Sequence, residues 1–529
     1  TSPTGYDMSK IIDPRTNKPF SPAQVSPSQE IVRLRQMIMS TFQMKYDAAQ
    51  STSQNELHWS QSDNLSPNAA NSLPVRKKLR SRSRYETQNN GYLLGILLSI
   101  SNDTIGSGPT LKITDPRFTD EQKRAIERRW LQRSKKTKLR RKLWRMNFGK
   151  IQDGEAFSFA YTDRRQNFRH PVKINQRVFE PDQVSHFEFS IEKKEQNTEV
   201  DGIQFDPASG EPSNYHLLNE HPGETLNFGV NPTKGEWFPE NQVIHWYRQQ
   251  RGWLRGIPET TATLPLWALL RRYTLAVVQN AEIAADFTVL LKSMQLPSTN
   301  PFSLDGSGEP TEESPEDWFD SFPIDRGLMT VLPSMYEMDQ LDPKQPVNMY
   351  DSFVRSLVQE AARPLLTPIN VSTANSSNHN MSAGTIDRQL YRGAIDQNRI
   401  DCGEEVLDKD LEQWWFEAIR VPNYFEDGVS SSDVTSVVKK FQSLREDPPE
   451  HTYLWDEVPE HSDPVKVASA MEILHQGGHI SDTDIQEGRF NRSTEEHYGN
   501  LAKQKAWREE NGFDMDFVEV PEMDDDDEI

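Results

Sequence analysis

Cysteine is nearly absent. Cys402 stands alone among 529 residues, which excludes an intramolecular disulfide framework and a zinc site built from clustered cysteines, and suits a reducing cytoplasm. Long apolar runs are missing as well. The longest, 260–270 and 91–102, fall short of the roughly 18–20 residues a membrane span requires, and no signal peptide is visible. Nucleotide-binding loops are lacking: no G-x-x-x-x-G-K-[ST] occurs, and Gly106-Ser107-Gly108 runs into Pro109 instead of a helix with a Lys. No G-x-S-x-G elbow is present. The 12 His are scattered, and His216, Glu220 and His221 fit neither zincin spacing, so they read as surface and turn residues. Positive charge is in deficit. With 59 Lys plus Arg against 80 Asp plus Glu, the net charge of −21 argues against a protein whose main task is to grip DNA phosphates. A hydrophobic fraction of 35% with 34 Pro and 12 Trp is low for one compact globule but too aromatic for disorder, which points to an extended shape or an assembly.

What is present falls into blocks. Residues 1–75, rich in Ser, Pro, Asn and Gln, read as a partly ordered arm with one helical patch at 31–44. From residue 76, Tyr85, Tyr92, Leu93, Ile96 and Leu97 recur at helical spacing until Gly106 and Gly108 stop the helix and a strand follows. Residues 120–147 interleave dense Lys and Arg with Trp130, Leu131, Leu139, Leu143 and Trp144, which predicts a basic amphipathic helix. Between 154 and 247, short apolar runs broken by Asn, Pro, Gly and Asp predict β structure, with turns at 206–210 and 231–235. The longest helical pattern spans 259–294, roughly 50 Å at 1.5 Å per residue, with apolar residues around most of its circumference. Such a helix should be packed on several sides. An exposed excursion rich in Pro, Gly, Ser and acid then covers 295–327, and a strand is expected at 328–332. Helices are expected at 347–362, 385–419, 464–474 and 493–510, with an uncharged polar loop at 366–384 and a strongly acidic tail.

Three groups of residues invite a chemical reading. Pro181-Asp182 followed by Glu192 and Lys194 fits the P-D…E-x-K layout in which two carboxylates hold Mg²⁺ and a Lys stabilises the attacked phosphate. A Pro-Asp turn before a charged strand end is also an ordinary structural pattern. The basic segment, with Arg124, Arg128, Arg129, Lys135, Lys136, Arg140 and Arg141, could contact a phosphate backbone with its tryptophans stacking on bases, or could pair with acids of neighbouring subunits. In an acidic protein the second reading is preferred. Trp318 and Phe319, set among Glu and Asp, belong at an interface. The alternatives carried forward are a Mg²⁺-dependent nuclease using Asp182, Glu192 and Lys194, and a generic nucleic-acid-binding structural protein.

Taken in order, several segments resemble the portal proteins of tailed bacteriophages, of the lambda type. They are SRSRYETQNNGYLLGILLSISNDTIGSGPTL, DGEAF at 153–157, FEPDQVS at 179–185, DGIQFDPASGEPSNYHL at 201–217, VIHWYRQQRGWLRGIPETTATLPLWALLRRYTLAVVQNAEIAADF at 243–287, GLMTVLP at 327–333, SAGTIDRQLYRGAIDQNR at 382–399 and DPVKVASAMEIL. The set covers roughly residues 76–500, and its joint occurrence is more specific than any single motif. The P-D…E-x-K match falls inside it and is thereby explained without nuclease chemistry.

The resemblance implies an α+β portal fold in a closed ring of about twelve copies at one capsid vertex. It divides the chain into an arm (1–75), a mixed α/β wing (76–258), a first stem helix (259–294), a clip (295–346), a second stem helix (347–365), a tunnel loop (366–384), the long wing helix (385–447) and a helical crown with the acidic tail (448–529). It implies a structural virion protein, not an enzyme, without cofactor, catalytic residues, metal or membrane contact, assembled in the host cytoplasm. Its implied partners are double-stranded DNA held weakly and without sequence preference in the channel, the terminase large subunit, a neck or adaptor protein, and the major capsid and scaffold proteins. The DNA-facing residues would be Asn370, Ser372, Thr373, Asn375, Ser376, Asn378, His379 and Asn380. Partner docking at the clip would use Trp318, Phe319, Phe322, Asp325 and Arg326. A conduit wall of low positive charge agrees with this role, because many Lys contacts would trap each step of a sliding duplex.

Overall fold

The computed structural model describes residues 57–58, 60, 62–165, 168–185, 198–224, 234–285, 289–293, 336–340, 350–377, 381–422, 424–425, 448–456, 464–481, 485 and 494–511. The chain divides into two units, Thr1–Ser66 and Pro67–Ile529, and the elements named here belong to the second.

The helical pattern after residue 76 folds as two helices, α1 (Leu73–Asn89) and α2 (Gly91–Ile105). The break is Asn90, whose backbone is extended and whose side-chain oxygen accepts from Tyr92 N at 3.1 Å and Leu93 N at 3.3 Å. Such a cap satisfies helix-start donors that would otherwise be orphaned. Gly106 and Gly108, at φ +51° and +103°, end α2, and β1 (Thr110–Ile113) follows. The basic segment is also two helices. Thr119 and Gln122 form a capping box that starts α3 (Asp120–Thr137), and Lys138, at φ +55°, turns the chain into α4 (Leu139–Asp153).

Among the described residues, seven strands lie between 155 and 247. β2 (Glu155–Thr162) is central to an antiparallel sheet, flanked by β3 (Ile174–Phe179) and β8 (Val243–Tyr247). β4 (Thr198–Val200), β5 (Ile203–Phe205), β6 (Pro212–Leu218) and β7 (Gly235–Pro239) form an antiparallel meander. The expected turn at 206–210 is there, with Asp206 Oδ1 accepting from Ala208 N at 3.0 Å and Gly210 at φ +78°.

The expected long helix at 259–294 is shorter: α5 is Leu264–Ala285. The chain then enters β9 (Val289–Ser293), paired antiparallel with β10 (Tyr336–Gln340). The β-branched and apolar V-L-L sequence finds backbone partners there, and pairing overrides helical periodicity. Packing around α5 is also less complete than expected. Trp267 and Leu270 are buried, but Leu275 and Val278 are about half exposed. The residues of the excursion and of the strand expected at 328–332 lie outside the described residues.

The helices expected at 347–362 and 385–419 are present as α6 (Tyr350–Ala362) and a continuous run of α8 (Met381–Cys402), a π-helical turn (Gly403–Leu407) and α9 (Asp408–Ala418). β11 (His451–Leu454) returns to pair with β1. α10 (Pro464–Gln476) and α11 (Thr494–Asn511) match the two C-terminal patterns.

Among the described residues three cores hold these pieces. One joins α3, α4, β1 and β2 to α9 through Trp130, Leu143, Trp246, Trp414 and Trp415. A second gathers α2, α5, α6 and α8 through Leu93, Ile96, Trp267, Val358 and Ile395. The third lies between the two sheets, with Phe157, Val184, Ile203, Tyr215 and Val243. Each fully buried large apolar side chain contributes about 1.5–3 kcal/mol.

Candidate functional site: a buried ion network and the DNA-facing segments

The three arginines Arg76, Arg80 and Arg84 stand four residues apart on α1, so they share one face. That face meets the sheets. Arg76 Nη2 lies 2.7 Å from Asp201, Arg80 lies 3.6 Å from Glu155 and 3.5 Å from Asp182, and Arg84 lies 2.8 Å from both Asp153 and Asp182. A fourth arginine, Arg255, is completely buried. Its Nη2 donates to Glu155 Oε1 at 2.7 Å, and its Nη1 donates to the carbonyls of Val184 at 2.9 Å and Asp201 at 2.6 Å. Glu155 also accepts from His245 Nε2 at 3.1 Å and from Gly256 N at 2.9 Å. His245 is stacked between Phe157 and Tyr247 at 4.2 and 4.3 Å.

The electrostatics follow from burial set against these partners. Burial alone would push the Glu155 carboxyl up, but the Arg255 charge and the hydrogen bonds from His245 and Arg255 hold it well below its ordinary range. Asp182 is likewise lowered, with Arg80 and Arg84 outweighing its burial. For His245 burial wins over Glu155, and the ring is pushed below its ordinary value. Backbone closeness completes the arrangement: a Cβ on Gly154 (φ +92°) would stand 2.1 Å from the Ile257 carbonyl carbon, and one on Gly256 would stand 2.1 Å from the Gly154 oxygen. Segments far apart in sequence, at 76–84, 153–155, 181–182, 201–202 and 254–256, therefore meet at one point.

This arrangement accounts for the nuclease-like pattern. Asp182 stands in a short 3₁₀ turn (Pro181–Gln183) with its carboxylate engaged by two guanidinium groups, while Glu192 and Lys194 lie outside the described residues. The carboxylates of Glu180 and Asp182 with His221 do bring three donor atoms within 4.8 Å of one another. That set suits a cation already there, because Arg84 lies 2.8 Å from Asp182 and 3.4 Å from Glu180. Gly223 N donates to His221 Nδ1 at 3.0 Å, which leaves the proton on Nε2, the atom a metal would need bare. His216 departs from its reading as a surface residue: it is buried on β6, with Nδ1 bonded to the Ser185 carbonyl at 2.7 Å. Cys402 is fully buried, and burial pushes its thiol up to about 12.

The expected DNA-facing loop is partly helical. Ile369–Thr373 forms a short helix, α7, and α8 begins at Met381, within the expected loop. Ser372 is buried and its hydroxyl donates to the Pro368 carbonyl at 2.9 Å. It therefore faces inward, contrary to expectation. The Thr373 hydroxyl donates to Ile369 O at 2.7 Å, and Asn370 is half-buried. The cause is Ile369 and Val371, which pack on the second core and draw the segment down. Asn375 and Ser376 are exposed. Asn378, His379 and Asn380 lie outside the described residues, as do Trp318, Phe319, Phe322, Asp325 and Arg326 of the clip.

On α3 and α4, Arg124, Arg128, Lys135, Lys136, Arg140 and Arg141 are exposed, and Arg129 is half-buried, 5.3 Å above the Tyr424 ring. Their tryptophans do not offer stacking faces. Trp130 is buried, and Trp144 packs on Phe148 at 5.3 Å while donating to Asn102 Oδ1 at 2.8 Å.

Residues 54–395 match the family model described as phage portal protein, lambda family. The chain belongs to that family. The match covers well over half of the sequence and ends short of the region near residue 500 that the resemblance reached. It encloses all four arginines of the network and their acidic partners. No curated protein matches this chain. Among solved structures, it is similar to a chain in the neck of an empty gene transfer agent particle computed with C6 symmetry, at 11% identity and a TM-score of 0.41, covering 75% of this chain and 90% of that one. A chain from the virion of the native gene transfer agent particle gives 12% identity and 0.37, covering 77% and 91%. A chain from the native neck with C12 symmetry gives 11% and 0.34, with the same coverage. Among the described residues no helix is long and apolar enough to cross a membrane.

Proposed function

We propose that this portal chain assembles as a closed ring of about twelve copies at one capsid vertex, and that the ring is the channel through which the genome is packaged and ejected. The observation that carries this is the family match over residues 54–395. The order of elements supports it: α5, then the β9–β10 pair bracketing the undescribed excursion, then α6, α7 and the long α8–α9 run. In this reading α5 and α6 are the stem, residues 295–346 are the clip that meets the terminase large subunit and then neck proteins, and α8–α9 spans the wing. Asn375 and Ser376, with Asn378, His379 and Asn380, approach the duplex as uncharged, exchangeable partners. The major capsid and scaffold proteins surround the ring, which is assembled in the host cytoplasm.

The chain acts structurally, not as a catalyst. The engagement of Asp182 by Arg80 and Arg84 supports this over the nuclease reading. The testing experiment is negative-stain electron microscopy of the purified protein at micromolar concentration. Rings with an open centre are expected. Uniform monomers or dimers, persisting after scaffold protein is added, would overturn the proposal.

A further inference from the structure

α8 carries an apolar stripe that none of the described residues covers. Ile386, Leu390, Gly393, Gln397 and Ile400 follow one another at intervals of four and three, the spacing of a helix seam. Ile386, Leu390 and Ile400 are 58%, 73% and 52% exposed. The other side of the helix holds Tyr391, Ile395 and Asn398, buried against α2 and its neighbours. The stripe is thus fixed facing away from the body of the protomer. Elsewhere, α2, α5 and α7 enclose a groove of about 500 Å³. Its floor is stepped by Gly91, Gly95 and Ser99 on α2, and Leu270, Leu275 and Val371 line its walls. A Cβ on Gly91 or Gly95 would meet nothing within 4 Å, so the groove has room for a side chain.

Charge extends the match beyond shape. Past Ile400 the stripe runs into Asp401, Glu404 and Glu405, of which Glu404 and Glu405 are exposed. Lys78 and Arg82 on α1, the helix that reaches the groove at Asn89, and Arg272 on α5, next in sequence to the groove-lining Arg271, are exposed and make no ion pair among the described residues. The groove floor from Ser99 to Gly91, about 12 Å, and the run from Asn89 back to Lys78, about 17 Å, are together comparable to the roughly 27 Å from Ile386 to Glu404, at 1.5 Å per residue.

We infer that each protomer lays the 386–400 stripe into the α2–α5–α7 groove of the next copy, with the acidic end of the stripe meeting Lys78 and Arg82. This rests on the ring reading above. The occupant is a second copy of this chain, because groove and stripe are complementary in both apolarity and charge and lie on different surfaces of the same molecule. Such a contact is head-to-tail, the kind that closes into rings.

The test is a cysteine pair, Gly95→Cys with Leu390→Cys, treated with a short bis-maleimide. The native Cys402 is buried and does not compete. Covalent multimers up to the full ring are expected from the double variant, and uncrosslinked chains from either single variant. A charge reversal, Arg82→Glu, is expected to raise the concentration for half-assembly about tenfold, and adding Glu404→Arg to restore it. Rings in micrographs of the double variant without crosslinked multimers would overturn this contact, assign the groove to another occupant and leave the ring reading standing. Absence of rings in the unmodified protein would remove the ring reading and this contact with it.

Discussion

Replacing Glu155 by Gln removes the one carboxylate on which Arg255, Arg80, His245 and the Gly256 amide converge. Gln retains a single acceptor oxygen and turns an NH₂ toward guanidinium groups that are themselves buried. Arg255 then loses its bidentate partner while having no exposure to water. Removing one member of a buried pair costs about 3–5 kcal/mol, since the remaining charge is left without compensation. With a urea slope of about 3 kcal/mol/M, the unfolding midpoint should fall by about 1 M or more. Tryptophan fluorescence and far-UV circular dichroism report it, with Trp246 paired to Ala156 beside the site. The partner experiment is Glu155→Leu with Arg255→Met. Apolar replacement of a whole pair is often neutral, so the double variant should be less destabilised than Glu155→Gln. A midpoint shift below about 0.3 M at unchanged slope, or a double variant worse than the single one, would refute the claim that the network secures the junction of α1 with the sheets.

Acid should weaken the same junction. Glu155 and Asp182 are lowered in the folded state, so their stabilisation is present above their unfolded values and is lost as pH falls through the folded ones. His245, lowered from 6.5, is neutral when folded while the unfolded chain takes up a proton below that value, so the urea midpoint should begin to drop near pH 6.5 and continue through the carboxylate range. His245→Gln should flatten the part between about pH 6.5 and 5. Asn90→Ala removes the cap of α2 and should cost about 1 kcal/mol by denaturant titration. Gly154→Ala places a Cβ 2.1 Å from the Ile257 carbonyl carbon at a positive φ; a sharp loss of soluble protein and rapid proteolysis are expected. Asn375→Lys with Ser376→Lys should slow DNA packaging in a reconstituted reaction, and an unchanged rate would count against an uncharged lining.

Periodicity located most helices, because the stripes of α2, α6 and α8 face a core within the chain. It misjudged boundaries where a backbone partner or a local cap decides. Asn90 splits one apolar pattern into two helices, and Lys138 splits another. β9 takes residues whose spacing reads as helix because β10 is there to pair with them. The inward turn of Ser372 was hidden because a polar, uncharged run reads as loop, while the decisive residues are the two apolar ones beside it, Ile369 and Val371. The network was legible only in part. Arg76, Arg80 and Arg84 at four-residue spacing mark a common face, but nothing in the spacing names Asp153, Glu155, Asp182 and Asp201 as partners, since those contacts close over long sequence separations. The segments carrying the family resemblance contain Arg84, Arg255 and the four acidic partners, though not Arg76 or Arg80. Their joint occurrence was the usable signal, and the network is a physical reason for it.

The distribution of charge bears on how a duplex would be handled. A run reading RKKLRSRSR would ordinarily suggest phosphate contact, yet Arg76 and Arg80 are buried and Arg84 is committed to three carboxylates. Drawing any of them out to a phosphate would strip one of its guanidinium partners from Glu155, Asp182 or Asp201, which weakens a buried charge network. A single phosphate contact in water does not offset that. Arg255 and Arg133 are likewise consumed, the latter by Asp410 with one bond at 2.9 Å. The exposed cations are those on the outer faces of α1, α3 and α4, in a chain whose net charge is strongly negative. In the ring proposed above, acidic surfaces of neighbouring copies would compete for those cations at a fixed, high local concentration, whereas a sliding duplex would present phosphates only in passing. In that proposed ring, arginines spent inside the fold and cations paired between subunits would leave little positive charge for a channel wall, the condition under which DNA would move without being held.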